Sequence, residues 1–137
     1  MSTNRSMPGS VIIPELPYAD VRQAVDWLCG CFGFVERLRI GDHRAQLSFG
    51  PGTIVVTRQE SGAIASQSIM VRVNDVDSHH ARAQQRGARI LNPPTDYPYG
   101  ERQYSVEDLG GHRWVFSQTI MDVEPGVWGG VLYEVED

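Results

Sequence analysis

The stretch that decides the fold is DVRQAVDWL at residues 20–28, followed by FGF at 32–34. A second copy of the same pattern occurs later, as DVDSHHARA at residues 75–83 followed by RGA at 86–88. The aspartates that open the two copies lie 55 residues apart, and the glycines that close them lie 54 apart. A repeat of this length is typical of paired supersecondary units, so we predict two copies of one unit.

Each copy carries the signals of one short helix. Asp20 and Asp75 are predicted N-caps, because a carboxylate there accepts hydrogen bonds from free backbone N–H groups. Apolar residues between 21 and 32 recur at helical spacing. Gly33 and Gly87 are the predicted stops, since glycine readily adopts the left-handed conformation that ends many helices.

The segments around these helices alternate between apolar and polar residues, which is typical of half-buried strands. The predicted strands cover residues 11–13, 34–40, 44–49 and 53–58 in the first copy, and 68–73, 90–91, 102–106 and 113–118 in the second. Residues 92–100 contain three prolines and two tyrosines, so they are predicted to form a surface loop. The sum is an α+β fold with the order βαβββ twice.

A length of 137 residues suits one structural domain. We predict a disordered lead over residues 1–9, a first module over 10–60 and a linker loop over 61–67. A second module follows over 68–120, and a C-terminal tail covers 121–137.

Composition excludes some classes of partner. The net charge of −5 argues against nucleic acid, because phosphate binding needs a basic face, and it weakly favours a cationic ligand. The sequence lacks an apolar run of about 20 residues that would span a membrane. Cys29 and Cys31 are predicted to be reduced thiols, so a cytoplasmic location is expected.

Four segments in this order resemble the vicinal oxygen chelate superfamily, which includes glyoxalase I, fosfomycin-resistance enzymes, extradiol dioxygenases and bleomycin-resistance proteins. These segments are residues 16–20 with the first helix, 32–34, 73–77 with 86–88, and 108–116. The last is similar to the family's Asp-Pro-Asp-Gly turn and final strand, with Leu109 at the usual proline and Gly110 at the usual aspartate. The resemblance implies two curled mixed sheets around a ligand cavity, helices on the outside, and a homodimer.

The resemblance also implies where metal ligands would stand, because metal-dependent members take one ligand from each of four strands. Those positions fall on Ile13, Val55, Ser68 and Val115. A catalytic divalent ion needs about three protein ligands, and none of these residues is His, Glu or Asp. The resemblance is therefore closest to the metal-free bleomycin-resistance branch, and we expect no metal, no cofactor and no catalytic residue.

The strand faces that would have carried those ligands should line the cavity. The candidate ligand-binding residues are Ile13, Glu15, Gln46, Val55, Thr57, Ser68, Met70, Arg113 and Val115 on these faces, with Tyr97 and Tyr99 able to stack on a flat ligand. This mixture of apolar and scattered polar groups suits an organic ligand. Glu15 could pair with a cationic ligand, or it could be a rim residue paired with arginine or water.

Other side chains are assigned to packing or to the surface. His43, His79, His80 and His112 are predicted to lie at the surface. Trp27 and Trp114 are predicted to lie in the core, and Trp128 is predicted to hold the tail against the body or a partner.

Three functions remain open from the sequence. The first is a metal-free small-molecule binding protein that sequesters an aromatic, cationic drug or metabolite and thereby gives antibiotic resistance. The second is a glyoxalase-like lyase or dioxygenase with a relocated or absent metal site. The third is an interaction module with a filled core.

Overall fold

A computed structural model describes residues 4–60 and 67–132. In chain order the elements are β1 (Glu15–Tyr18), α1 (Val21–Phe32), β2 (Val35–Ile40), β3 (Arg44–Phe49), β4 (Gly52–Arg58), β5 (Ser68–Arg72), α2 (Val76–Gln85), β6 (Arg89–Tyr97), β7 (Glu101–Glu107), β8 (Arg113–Thr119) and a 3-10 helix (Pro125–Trp128). This order confirms the α+β fold and the repeated βαβββ unit.

Both helices begin as the sequence predicts. The Asp20 side chain accepts a hydrogen bond from the backbone N–H of Gln23 at 3.0 Å, and Asp75 accepts one from Ser78 at 3.1 Å. Helix α1 ends at Gly33, whose φ of +88° is favourable for glycine alone among common residues. These local contacts explain why the helix boundaries are legible in the sequence.

The two sheets have the same topology. Their strand orders are β1-β4-β3-β2 and β5-β8-β7-β6, with the first strand of each module parallel to its last. In the registers, Glu15 lies opposite Val55 and Met70 lies opposite Val115. Within the described residues both sheets remain open, and each offers one face to its helix.

The faces that meet the helices form one core shared by both modules. Leu47 and Val56 from the first sheet and Trp114 and Phe116 from the second are fully buried in this core. Phe32 at the end of α1 contacts both Trp114 and Phe116 with ring centroids 5.5 and 4.9 Å apart. The predicted core position of Trp114 is confirmed, and Trp27 packs against the same core.

We call the opposite sheet faces the inner faces. The inner face of the first module carries Gln46 and Val55, and that of the second carries Ser105 and Val115. Val55 and Val115 are 3% and 9% exposed, yet they lie outside the shared core cluster. The alternation in each strand therefore separates residues that hold the fold from residues that are free to face a ligand.

A buried carboxylate joins the two modules. Asp108 accepts hydrogen bonds from the Tyr18 hydroxyl at 2.6 Å and the Trp114 indole N–H at 2.9 Å. It also accepts hydrogen bonds from the backbone N–H groups of Gly110 and His112 at 2.9 and 3.0 Å. Burial raises the pKa of the Tyr18 hydroxyl, and the neighbouring Asp108 carboxylate raises it further. We call this group of residues the junction.

The surface prediction for His112 is wrong. Its side chain is 1% exposed, its Nδ1 accepts the backbone N–H of Gln67 at 2.9 Å, and its Nε2 donates to the carbonyl of Pro17 at 2.8 Å. His79 is also partly buried, with Nδ1 2.6 Å from the Tyr104 hydroxyl and Nε2 2.9 Å from the carbonyl of Phe32. Burial lowers the pKa of His79.

Two strand predictions also need correction. Residues 11–13 do not form a strand, and β1 begins at Glu15; Val11 and Ile12 are 95% and 82% exposed. Residues 92–97 belong to the nine-residue strand β6 and not to a loop. β6 is an edge strand with register shifts between Ile90 and Asn92 and between Asn92 and Thr95, and edges and bulges tolerate proline.

The ends of the chain pack on the sheets. Two of the described residues of the predicted lead, Ser6 and Met7, accept hydrogen bonds from side chains of the first sheet. Residues 1–3 and 133–137 lie outside the described chain, as does the predicted linker except Gln67. No helix in the described ranges is long and apolar enough to cross a lipid bilayer.

Candidate ligand-binding site

A pocket of about 300 Å³ lies on the inner face of the second module. Strands β5, β6, β7 and β8 all contribute to it, and its lining residues are Met70, Asn92, Tyr97, Gln103, Tyr104, Ser105, Arg113 and Val115. The β8 residue Val115 pairs with Met70 on one side and Ser105 on the other. This row crosses three strands and sets apolar surface next to hydrogen-bonding groups.

A chain of hydrogen bonds fixes the polar groups beside the pocket. The Tyr99 hydroxyl donates to Gln103 Oε1 at 3.1 Å, and Gln103 Nε2 donates to Ser117 Oγ at 3.0 Å. Ser117 Oγ in turn donates to the Glu101 carboxylate at 2.7 Å. Burial raises the pKa of Glu101, but hydrogen bonds from Thr119 and Ser117 outweigh it and the net pKa is lowered. The carboxylate is thus held charged as the acceptor at the end of the chain.

Tyr97 and Tyr99 form an aromatic corner at one end of the pocket. Their rings are stacked, with centroids 5.5 Å apart and planes 9° from parallel. Asn92 Nδ2 donates to the Tyr97 hydroxyl at 3.1 Å. Trp128, in the 3-10 helix, meets Tyr99 edge to face at 5.7 Å. The tail therefore braces the corner, as predicted for Trp128.

The inner face of the first module is covered by the chain's own N-terminal residues. Gln46 is 3% exposed, and its Nε2 donates to the carbonyl of Ser6 at 2.9 Å. Glu15 lies at the rim, where its carboxylate accepts a hydrogen bond from Arg44 at 2.7 Å. Glu15 was predicted either to pair with a cationic ligand or to be a rim residue paired with arginine or water. The structure shows it paired with Arg44 at the rim.

The structure brings four of the predicted site residues together in the pocket of the second module, namely Met70, Tyr97, Arg113 and Val115. Tyr99 stands beside it through its stacking on Tyr97. The remaining six lie elsewhere: Gln46, Val55 and Thr57 on the first sheet, Glu15 at its rim, Ile13 before β1, and Ser68 exposed at the start of β5.

Four lining residues were missed, namely Asn92, Gln103, Tyr104 and Ser105. The alternation of β7 already places Gln103 and Ser105 on one face, so extending the inner-face argument to this strand would have found them. The prolines that follow Asn92 predict a loop, so the sequence alone does not place Asn92 on an inner face.

The residues at the four positions that would hold a metal do not fit one. Ile13, Val55 and Val115 have no donor atom, and the hydroxyl of Ser68 is a poor ligand by itself. Among the described residues, no group of three or more His, Cys, Asp or Glu could hold a metal ion.

A larger groove of about 790 Å³ runs between the modules on the helix side. Apolar side chains from both sheets line it, including Phe34, Phe49, Ile54, Ile69 and Val71. Met70 is the predicted site residue that also borders it. The smaller pocket is the better candidate for a specific ligand, because several fixed polar groups converge there on an apolar floor.

Comparison with known proteins gives a consistent result for the fold. The family model of the Glyoxalase/Bleomycin resistance protein/Dioxygenase superfamily matches residues 11–116. No curated protein sequence matches the chain.

Solved structures with the same fold include proteins described by different functions. TioX from Micromonospora sp. ML1 is 40% identical, with a TM-score of 0.74 over 81% of this chain and 99% of TioX. TnmS3, described as an antibiotic binding protein from Streptomyces sp. CB03234, is 24% identical, with a TM-score of 0.69 over 81% of this chain and 96% of TnmS3. Lactoylglutathione lyase from Agrobacterium tumefaciens is 13% identical, with a TM-score of 0.67 over 81% of this chain and 94% of the lyase.

Proposed function

The chain belongs to the glyoxalase/bleomycin resistance protein/dioxygenase superfamily, and we propose that within it the protein is a metal-free small-molecule binding protein. It holds an organic drug or metabolite in the pocket of the second module and denies that molecule to its target. The ligand is sequestered without chemical change, so its release depends on affinity alone.

The observation that carries this proposal is Val115 at the floor of the pocket. The resemblance to metal-dependent members of the family implies a ligand at this position, whereas here it presents an aliphatic surface beside Met70 and Ser105. Burying an aromatic face on such a surface stabilises a complex by about 25 cal/mol per Å². Micromolar affinity requires about −8 kcal/mol, so hydrogen bonds to Asn92, Gln103 and Ser105 must add to the apolar contact to offset the costs of association.

The relatives support binding without identifying the ligand. TnmS3 is described as an antibiotic binding protein and shares the fold. The lyase shares the fold as well, so the fold alone does not separate binding from catalysis. The residues at the metal positions favour binding.

The lining of the pocket favours a neutral, flat aromatic ligand. Tyr97 offers an aromatic edge, and Gln103, Ser105 and Asn92 offer hydrogen bonds. Among the described residues that line the pocket, Arg113 alone carries a charge. Its positive charge disfavours the cationic ligand that the net charge of the chain leads us to expect.

We also propose that the protein works as a homodimer. A volume of about 300 Å³ lies at the lower end of the range for organic ligands, so a second copy would add walls to the pocket. The outer edge of β5 is unpaired in its sheet, and Met70 on this strand is 65% exposed. Light scattering coupled to size exclusion measures the mass directly, and a single-chain mass at micromolar concentration would contradict this part of the proposal.

Val115→Trp tests the site. The indole fills the pocket, so binding of the uncharged fluorescent probe N-phenyl-1-naphthylamine should weaken at least tenfold, measured by fluorescence titration. Val35→Trp is the matched control, because Val35 is 66% exposed on β2, an edge strand of the other sheet. It should bind the probe like the wild type, and thermal melts should show both variants folded.

Two outcomes would overturn the proposal. Unchanged probe binding by Val115→Trp would remove the pocket as the site. Retention of about one equivalent of nickel, zinc, manganese or iron after desalting, together with turnover of a hemithioacetal, would establish the lyase alternative. Plasma mass spectrometry measures the metal content.

A further inference from the structure

We infer that the inner face of the first module is a second binding site, which recognises the carbonyl groups of a peptide turn. In the free protein, residues 4–10 occupy this site as an intramolecular ligand. The inference stands apart from the proposed function, since it uses no residue of the pocket in the second module.

Three successive backbone carbonyls of the segment accept hydrogen bonds from two side chains. Arg37 Nη2 donates to the carbonyl of Arg5 at 2.9 Å and to that of Met7 at 3.0 Å. Gln46 Nε2 donates to the carbonyl of Ser6, between them, at 2.9 Å. Arg37 Nη1 also donates to Gln46 Oε1, so the two side chains hold each other in position. These contacts involve main-chain atoms, so another molecule with the same arrangement of amide carbonyls could make them.

Arg37 reaches this face because of an irregularity in its strand. The register of β2 against β3 shifts between Glu36 and Leu38, which leaves Arg37 as the extra residue of a bulge. Glu36 points to the helix side, where it pairs with Arg22. A bulge re-aims one side chain at the expense of regular pairing, and here it adds a five-donor guanidinium to the inner face.

The segment itself is a compact turn. The N–H of Met7 donates to the carbonyl of Asn4 at 3.2 Å, and the N–H of Ser6 donates to the Asn4 side chain at 3.0 Å. Pro8 is buried, and the Ser10 hydroxyl donates to Thr53 Oγ1 at 3.0 Å. Residues 4–10 are thus held by the turn that begins at Asn4, by the buried Pro8 and by the hydrogen bond of Ser10.

The repeat shows what the segment covers. Gln46 pairs with Val55 across β3 and β4 as Ser105 pairs with Val115 across β7 and β8. The second of these rows borders an open pocket. The first row is covered, since the Gln46 side chain donates to the carbonyl of Ser6. Residues 4–10 therefore occupy the counterpart of the pocket in the other module.

A tethered occupant competes with any free one. A short flexible tether gives an effective concentration in the millimolar range, so a peptide or peptide-like molecule binds weakly until the segment leaves. Releasing the segment should therefore strengthen binding of a free copy of the turn without any change in the face itself.

Pro8→Asp in the full chain tests this inference. Burying an unpaired charge is unfavourable, so the segment should leave the face. The acetylated and amidated peptide NRSMPGS, which copies residues 4–10, should then bind at least tenfold more tightly than it binds the wild type, measured by titration calorimetry. Gly9→Asp is the matched control, because Gly9 is exposed and has open space around it; it should behave like the wild type.

Further variants assign the binding to the face. Arg37→Ala added to Pro8→Asp should reduce peptide affinity at least tenfold. Arg39→Ala on the same strand, which removes a pair with Asp42, should not. If Pro8→Asp fails to fold, Ser10→Ala removes the bond to Thr53 and serves as the release variant. Equal peptide affinity in the release variant and the wild type, or full binding without Arg37, would overturn the inference.

Discussion

Tyr18→Phe measures how strongly the junction holds the two modules together. The substitution removes one hydroxyl and keeps the ring, so it deletes the hydrogen bond to Asp108 without opening a large cavity. Tyr18 and Asp108 are 1% and 5% exposed, so water has little access to either partner. The bond connects residues 90 positions apart, one in each module.

The expected loss is about 2 kcal/mol of the free energy of unfolding. A hydrogen bond to a charged group contributes about 1.5–3 kcal/mol. The deletion should fall inside this range because Asp108 keeps three other donors, from Trp114, Gly110 and His112. For a chain of this size, 2 kcal/mol corresponds to a fall of about 6–8 °C in the melting temperature.

Urea denaturation followed by tryptophan fluorescence and by circular dichroism gives the free energy. Tyr97→Phe is the control, because its hydroxyl accepts a neutral, part-buried hydrogen bond from Asn92 and its removal should cost about 0.5–1 kcal/mol. A loss below 0.5 kcal/mol for Tyr18→Phe, or equal losses for the two variants, would refute the view that Asp108 holds the modules together.

Three further predictions concern one tight contact at the junction and two kinds of buried titratable group. Gly110→Ala should destabilise the fold by more than 1 kcal/mol in urea, because the new Cβ would stand 2.6 Å from the Tyr18 ring; Gly126→Ala, with open space, is the control. Stability should fall as the pH drops below about 6.5, because burial lowers the pKa of His79 and the unfolded chain then binds a proton that the folded chain excludes; urea midpoints of the wild type and His79→Gln at pH 7.5 and 5.5 test this. Stability should also fall above about pH 10, because burial raises the pKa of Tyr18 and Tyr104 and only the unfolded chain releases these protons readily; urea midpoints between pH 8 and 11 test this, and a flat profile would contradict it.

The sequence predicts what depends on neighbours in the chain. The N-caps Asp20 and Asp75 act on backbone groups three residues away, and the stop at Gly33 depends on its own φ. Alternation likewise predicts Val115 on an inner face and Trp114 in the core. These features need no knowledge of distant partners, and the structure confirms them.

The parts that were missed depend on distant partners or on strand registers. His112 is buried because its two ring nitrogens meet Gln67 and Pro17, which are 45 and 95 positions away. Residues 11 and 12 are β-prone, but the register that pairs Glu15 with Val55 places Ile12 opposite Gly52, where β4 begins. Only the first two residues of β4 therefore remain opposite Ile12 and Ile13, and Val11 lies beyond the end of that strand.

The candidate site was only half predicted for the same reason. Both inner faces are equivalent by alternation, so the sequence assigns ligand contacts equally to Gln46 and Val115. Which inner face stays open depends on which face residues 4–10 pack against. Their contacts with Arg37 depend on a bulge in β2 that apolar and polar alternation does not predict. Tertiary packing breaks a symmetry that the sequence pattern preserves.

The junction has a consequence for the ancestry of the repeat. Two identical units produced by duplication would carry the same hairpin between their last two strands. In this chain the first unit has the short turn around Gly50 and Pro51, and the second has Asp108 with its four donors. One of those donors, Tyr18, comes from the first unit. The halves are therefore not interchangeable, and a protein built from two copies of either half would leave one side of this contact without its partner.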